Sequence, residues 1–170
     1  ECVYIVREKL RHITTGIMGE EIDVTLRYMC SFDRGLVTLE DNMAESINEV
    51  LESEKKRGYS LVGPQYDDLL ITIGGNDARR YGSQGQKRVI AVSLKLAQAL
   101  VIMEERAERP VVLLDDILSE LDEEKVSRIK GMLEAEYQSF LASPDMRDFP
   151  EGLKDVALFK VSRGVIERVR

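Results

Sequence analysis

The segment Val111-Val112-Leu113-Leu114-Asp115-Asp116 decides the fold class of this chain. Four consecutive apolar residues, opened by a proline and closed by two acids, predict a buried strand of a parallel sheet. The carboxyl edge of such a sheet is where open α/β proteins bind ligands. Asp115 is therefore a candidate metal residue, because a strand-end Asp commonly anchors nucleotide-bound Mg²⁺. Asp116 is a candidate catalytic residue that could orient or deprotonate water. The alternative is that both acids only end the strand.

The hydrophobic pattern on either side of this strand predicts an α/β layer. A helix over residues 84–103 is apolar almost all round and should be buried on most sides. A second helix is predicted over 123–140, with Asp122 as its N-cap, and a last strand over 157–162. Strand, helix and strand in this order favour the α/β class.

The first half of the chain has a more helical or mixed pattern. A helix is predicted over 3–13, and Gly16 and Gly19 should prevent it from continuing. A strand with alternating apolar residues should follow over 21–30. The remaining predicted elements are an exposed helix over 39–56, a turn at 63–64, a strand over 69–73, a hairpin turn at 74–77 and a return strand over 78–81.

Composition and charge narrow the class of protein. The chain has 170 residues, is 44% hydrophobic and has a net charge of −7. It can therefore bury a core, but it lacks the overall basic balance of a general nucleic-acid coat. Two cysteines, Cys2 and Cys30, predict reduced thiols in a cytoplasmic protein rather than a disulfide scaffold. No apolar stretch is long enough to span a bilayer, so we expect no membrane association.

A second motif, GSQGQ at 82–86, opens the predicted helix over 84–103. Its glycines allow a tight turn and close approach of a ligand, and the amides at a helix N-terminus suit a phosphate. Lys87 and Arg88 follow in the first turn, where the helix dipole disfavours cations. Either this is a small cost at a solvated surface, or an anion docks there. Taken alone, the motif favours a simple N-cap at Ser83.

A third motif, SELD at 119–122, directly follows the apolar strand. Ser119 and Asp122 are good capping residues, and capping is the simplest interpretation of this motif alone.

The order of the three motifs is more informative than any one of them. It resembles the order of the signature motif, Walker B strand and D-loop in the ABC/SMC ATPase superfamily. The residues within these motifs are most similar to those of the RecF family. The segments that carry the resemblance are GSQGQKR at 82–88, LKLA at 94–97 and LLDDILSELD at 113–122. GPQYDDL at 63–69 resembles the family's Gly-Pro-His-Arg-Asp-Asp-Leu, with Gln65 and Tyr66 in place of the His and Arg.

The resemblance implies the C-terminal half of an ABC-type ATPase head with an attached helical or mixed subdomain. It divides the chain into that subdomain over 1–62 and the ATPase core over 63–170. In such enzymes each ATP lies between one subunit's P-loop and the other's signature motif. The resemblance assigns partner-nucleotide binding in trans to Ser83, Gln84, Gly85 and Gln86. It assigns Mg²⁺ to Asp115, catalysis to Asp116, and the dimer interface to Ser119 and Asp122.

The resemblance also implies parts that this sequence lacks. A P-loop needs a Gly-Lys pair, and none occurs here. We therefore expect a P-loop on a preceding segment, and we expect this chain alone neither to bind ATP tightly nor to hydrolyse it. Many ABC ATPases carry a switch His near the position of residues 140–143, whereas the single histidine here is His12. Ser143 or a neighbour would have to take that place.

The partners implied by the family are DNA at single-strand/double-strand junctions, RecR, RecO and a second copy in an ATP-dependent homodimer. The compact basic cluster of Arg79, Arg80, Lys87 and Arg88 could serve DNA or simply be solvated. Two other functions stay open at this point. The chain could belong to the head of another SMC or ABC ATPase, or it could be a non-catalytic module for dimerisation or RecR docking.

Overall fold

The computed structural model describes residues 2–32, 35, 38–118, 121–145, 149 and 156–169. Five α-helices, one short 3-10 helix (Pro64–Tyr66) and seven strands lie in these ranges. The α-helices and strands are α1 (Cys2–Met18), β1 (Val24–Met29), α2 (Leu39–Arg57), β2 (Asp68–Ile73), β3 (Asn76–Asp77), α3 (Ala78–Tyr81), α4 (Gln84–Arg106), β4 (Val111–Asp115), α5 (Glu123–Glu136), β5 (Gln138–Ala142), β6 (Phe159–Ser162) and β7 (Val165–Arg168). The predicted α/β class is confirmed.

The strands form three small sheets. β1, β2 and β3 are antiparallel in that order, β4 pairs with β5 in parallel, and β6 and β7 form an antiparallel hairpin. The parallel pair places Asp115 beside Ala142, so both strands end at the same edge. This edge carries the candidate site.

One hydrophobic core joins the two halves of the chain. The inner face of β4, Val112 and Leu114, packs into a cluster with buried residues of three helices and β1. The helical and β1 members are Leu10, Ile13, Ile17, Val24, Leu26, Val89, Val92, Leu96, Ala97, Ala99, Ile129 and Leu133. The division at residue 62 stays a prediction; β1 and β2, on either side of it, are neighbouring strands of one sheet.

β4 is parallel as predicted but buried on one face only. Val111 is 51% exposed and Leu113 is 71% exposed, whereas Val112 and Leu114 lie inside. The prediction of a buried strand was therefore right for Val112 and Leu114 and wrong for Val111 and Leu113. A continuous apolar run does not show whether both faces are covered, because side chains alternate between faces whatever lies outside.

The helix predicted over 123–140 stops earlier. α5 ends at Glu136, and residues 138–142 form β5, the parallel partner of β4. The apolar residues Phe140, Leu141 and Ala142 of this short stretch are consecutive and show no strand period, so its pairing with β4 decides its conformation rather than its own pattern. The prediction missed a strand that ends beside the candidate acids.

The return strand predicted over 78–81 is also wrong. β3 contains only Asn76 and Asp77, and Ala78–Tyr81 is helix α3. The Asp77 carboxylate accepts a hydrogen bond from the Arg79 amide at 2.8 Å and caps this helix. A capping Asp starts a helix in this way because it satisfies an amide that has no helical partner.

α1 passes through Gly16 and ends at Met18, five residues later than the predicted end at Ile13. A Cβ added at Gly16 would lie 2.6 Å from the Met132 methyl carbon, so the glycine permits close packing against α5. Gly19 has φ +76° and is the break. Glycine adopts this left-handed conformation without strain, which is why it ends helices.

Gly19→Ala is expected to destabilise the protein more than Gly58→Ala. Both glycines follow a helix with φ near +76°, so each substitution costs about 1 kcal/mol of left-handed strain. Only at Gly19 would the new Cβ overlap a side chain, the Arg128 guanidinium, which donates to the Ile17 carbonyl at 3.2 Å. Urea unfolding should show roughly twice the loss for Gly19→Ala. Equal losses would mean that Arg128 moves away freely.

Candidate functional site

The start of α4 is built around a reciprocal pair of hydrogen bonds. Ser83 Oγ accepts from the Gln86 amide at 3.2 Å, and Gln86 Oε1 accepts from the Ser83 amide at 2.9 Å. This capping box confirms the N-cap predicted at Ser83. The Ser83 oxygen is used as an acceptor, so its hydroxyl hydrogen can still be donated to a ligand. Ser83 and Gln84 are exposed, and Gly85 and Gln86 are half-buried.

Gly82 joins α3 to α4 where no larger residue fits. Its amide donates to the Ala78 carbonyl at 3.1 Å, and an added Cβ would lie 2.5 Å from that same oxygen. Because the obstacle is backbone, a side chain at Gly82 would displace the turn. The glycine therefore sets the position of Ser83.

The carboxyl end of β4 carries both candidate acids, and both are exposed. Asp116 has φ +49°, a left-handed conformation that Asp tolerates better than most residues. Its amide donates to the Ala142 carbonyl at 3.0 Å and extends the parallel pairing by one residue. Ser143, which directly follows Ala142, consequently lies at the same edge. The predicted position of the switch residue, 140–143, includes Ser143, but the strand that brings Ser143 to this edge was not predicted.

Arg88 connects the two motifs. Its Nη1 donates to the backbone oxygen of Asp116, 28 residues away. From the sequence, Arg88 is an unfavourable cation at the start of α4, a member of the signature segment and a member of the basic cluster, with no predicted contact to Asp116. The sequence does not indicate that Arg88 bonds to the Asp116 carbonyl, because every residue has the same backbone oxygen.

Three of the four residues in the predicted basic cluster have partners within the chain. Arg79 makes a two-pronged ion pair with Asp68 at 2.9 and 3.0 Å, and Arg80 lies 3.6 Å from Asp77. The hydrogen bonds from Arg79 hold the pKa of the Asp68 carboxyl below its usual value. The two ion pairs reduce the net positive charge that the cluster can offer to DNA phosphates, and the bond to Asp116 already engages the Arg88 guanidinium.

Asp122 caps α5, as predicted. It accepts from the Lys125 amide at 2.9 Å and from the Lys125 ammonium. The Lys125 ammonium, with that amide, lowers the pKa of the Asp122 carboxyl. The interface role of Asp122 remains a prediction, as does that of Ser119, which lies outside the described residues.

The segment over 63–69 braces the end of β1. Asp67 accepts from the Tyr28 hydroxyl and from the Ser31 amide at 2.7 Å, while Ser31 Oγ donates to the Gly63 carbonyl at 3.0 Å. The hydrogen bond to Asp67 raises the pKa of Tyr28 to about 12, and the Tyr28 hydroxyl lowers the pKa of Asp67. Tyr66, which replaces the family's Arg, donates to the Ser60 carbonyl at 2.6 Å.

Tyr28→Phe should remove the tyrosine that titrates at about pH 12. The difference between the phenolate absorbance titrations of wild type and variant isolates Tyr28 from the other tyrosines. Because its folded pKa is raised above 10, this contribution to stability is complete below pH 10 and is lost as pH rises through about 12. The pKa of Asp67 is lowered, so the contribution of Asp67 to stability is present at neutral pH and is lost as the pH falls through its folded pKa. A difference curve centred near 10 would contradict the hydrogen bond.

The metal prediction is not supported by a preformed cluster. Within the described ranges, no three His, Cys, Asp or Glu side chains are grouped so that they could hold a metal ion. A lone strand-end Asp can still serve nucleotide-bound Mg²⁺, because Mg²⁺ takes most of its other ligands from phosphate and water. None of the helices in the described part of the chain could cross a membrane.

Curated proteins similar to this chain are RecF proteins. "DNA replication and repair protein RecF" of Lysinibacillus sphaericus is 40% identical over 131 residues, which is 76% of this chain and 35% of that protein. The Halothermothrix orenii protein of the same name is 38% identical and covers 98% of this chain and 45% of its own length. The Bacillus subtilis protein is 36% identical, with coverages of 91% and 43%. The chain thus spans less than half the length of these curated relatives.

The fold leads to the same family. Two solved structures of the recombination mediator protein RecF in the RecFOR pathway match 98% of this chain and 44% of their own. The structure with ATP has a TM-score of 0.73 at 28% identity, and the structure with ATPγS has 0.72 at 27%. No family model matches the chain. The predicted resemblance to the C-terminal half of RecF is confirmed, and the chain belongs to the RecF family of ABC-type ATPases.

Proposed function

We propose that this chain supplies the signature edge and the strand-end carboxylates of a composite ATP site in a RecF-type recombination mediator. The supporting observation is the bond from Arg88 to Asp116, which brings the start of α4 and the end of β4 into one surface. Ser83 and Gln84 are exposed on one side of this surface, and Asp115 and Asp116 on the other. A ligand can therefore reach both motifs without rearrangement of the core.

The signature edge suits the γ-phosphate of an ATP held by a second copy. The first amides of a helix lack helical partners and carry a partial positive charge, which favours an anion. Of these, the Gln86 amide is already used by Ser83 Oγ. The Ser83 hydroxyl and the Gln84 and Gly85 amides are then the donors for the partner's nucleotide. Gln86 keeps the Ser83 backbone in place.

The carboxylates suit the chemistry of the chain's own site. Asp115 would hold Mg²⁺, directly or through water, and the ion when bound would neutralise phosphate charge. Asp116 would orient the attacking water and accept its proton. Ser143 would take the position of the switch His, since β5 ends at the same edge as β4.

A complete site requires a P-loop from elsewhere. The chain has no Gly-Lys pair, so by itself it should neither bind ATP tightly nor hydrolyse it. We propose that a preceding segment of the full-length protein carries the P-loop. That segment would cover the outer face of β4 and β5, which we define as Val111, Leu113 and Phe140; each is more than half exposed here.

The biological role follows the family. We propose ATP-dependent homodimerisation, binding of DNA at single-strand/double-strand junctions, and work with RecR and RecO in gap repair in the cytoplasm. Ser119 and Asp122 would lie at the dimer interface. The net charge of −7 and the internal ion pairs of Arg79 and Arg80 imply that DNA contacts are local rather than spread over this chain.

Ser83→Arg in the full-length protein tests the role in trans. The guanidinium would occupy the space of the partner's phosphate, so ATP should no longer drive dimerisation in sedimentation velocity experiments. Ser83→Asp is the sharper variant, because it keeps an N-cap but places a negative charge against the phosphate. Ser53→Arg, at an exposed position on α2, is the matched control and should dimerise normally. If Ser83→Asp also dimerises normally, Ser83 acts only as a helix cap.

A non-catalytic docking module is the second candidate. It is favoured by the fact that Ser83, Gln86 and Asp122 are all engaged in helix capping. Asp115→Asn distinguishes the two functions, because a docking module would keep RecR binding and would have no turnover to lose. Abolished ATP turnover with intact RecR binding supports the ATPase.

A further inference from the structure

We propose that Arg88 is a positioning residue that couples the signature edge of α4 to Asp116 of the same chain. The inference rests on the proposed function, in which the signature edge contacts the partner's ATP and Asp116 serves the chain's own site. Arg88 contacts neither nucleotide in this scheme. It acts through the backbone of Asp116, to which its Nη1 donates a hydrogen bond.

At the start of α4, the side chain of Arg88 has a specific acceptor, the Asp116 carbonyl. Arg88 lies five residues after the N-cap Ser83, just beyond the first turn, where the unfavourable effect of the helix dipole on a cation is small. The side chain is half-buried rather than free in solvent. A charged guanidinium is a strong hydrogen-bond donor, so its bond to the Asp116 carbonyl offsets the unfavourable effect of the helix dipole.

Asp116 needs support from outside its own strand. Its φ of +49° is uncommon for a residue other than glycine, although Asp tolerates it better than most, and bonds from two other elements help to hold it. The Ala142 carbonyl fixes its amide at 3.0 Å, and Arg88 fixes its carbonyl. The Asp116 peptide groups are thereby held from β5 on one side and from α4 on the other. Loss of the contact from Arg88 would remove the restraint on the α4 side and allow the Asp116 carboxylate to shift.

α4 provides the mechanical connection. Ser83 and Arg88 belong to one continuous helix of 23 residues and its N-cap, so a shift of the signature edge also shifts the guanidinium. Arg88 in turn would shift Asp116. Nucleotide bound at the signature edge would then affect the carboxylate of the neighbouring site, which is a coupling between two distinct sites.

Steady-state hydrolysis and ATP-dependent dimerisation of the full-length protein test this, with Arg88→Gln, Arg88→Lys and the charge control Lys56→Gln, at an exposed position on α2. Arg88→Gln should lower kcat by about 10- to 100-fold, as expected for a misplaced catalytic group. The KM for ATP and the ATP concentration at half-dimerisation should change less than about 3-fold, because ground-state contacts remain. Arg88→Lys should recover part of kcat, since its ammonium can still donate. Lys56→Gln should behave as wild type.

The possible outcomes separate this inference from the proposed function. If Arg88→Gln keeps wild-type kcat while Ser83→Asp abolishes dimerisation, the composite site stands and the coupling is wrong. If Arg88→Gln lowers the melting temperature and changes kcat, KM and dimerisation together, with no rescue by Arg88→Lys, Arg88 is only structural and the inference is overturned. If Ser83→Asp dimerises normally with ATP, the proposed function fails and the coupling fails with it.

Discussion

Asp116→Asn is expected to reduce ATP turnover of the full-length protein by about 100-fold or more, which is the usual contribution of a general base. Asn cannot accept the proton of the attacking water, although it has nearly the same shape as Asp. It also tolerates the left-handed backbone seen at Asp116, so the fold should be preserved. ATP-dependent dimerisation should persist or even increase, because the dimer would form but not be released by hydrolysis.

Phosphate release under single-turnover conditions is the direct measurement for Asp116→Asn. Glu123→Gln is the matched control, since it removes one exposed carboxylate seven residues away at the start of α5. Asp115→Asn should also reduce turnover, but unlike Asp116→Asn it should raise the Mg²⁺ concentration that is needed for half-maximal turnover. Turnover within a few-fold of wild type in Asp116→Asn would move the catalytic role to another residue at this edge.

Leu114→Ala is expected to reduce the free energy of unfolding by about 2–5 kcal/mol, the range for truncating a buried leucine. Leu114 is 3% exposed and belongs to the core shared by α1, α4 and α5. Its neighbour Leu113 is 71% exposed in this chain, so Leu113→Ala in the chain alone should cost no more than about 0.5 kcal/mol. The two substitutions remove the same atoms from adjacent positions of one strand.

The same pair tests whether another segment covers the outer face of β4 and β5. In the full-length protein, Leu113→Ala should become about as destabilising as Leu114→Ala if the P-loop segment packs there. Denaturant unfolding of both variants in both forms gives the comparison. A small effect of Leu113→Ala in the full-length protein would mean that this face stays exposed and would argue against the proposed arrangement.

Several features of this protein follow from local sequence. The apolar run over 111–114 with its terminal acids predicts β4 and the location of Asp115 and Asp116 at its carboxyl end. Ser83 and Asp122 predict the starts of α4 and α5, because a side-chain cap needs only an amide two or three residues away. The order of the motifs predicts the family, which the comparisons confirm.

Other features depend on residues that are distant in sequence. The segment over 138–142 becomes a strand because β4 offers it backbone partners, and only this pairing brings Ser143 beside the acids. The exposure of Leu113 depends on what lies outside the sheet, which no pattern within β4 reports. The backbone of Asp116 is held by Ala142 and by Arg88, 28 residues away, through atoms that every residue shares. The sequence thus determined the identity and order of the chemical groups, whereas tertiary structure decided their pairing, because main-chain hydrogen bonds do not depend on side-chain type.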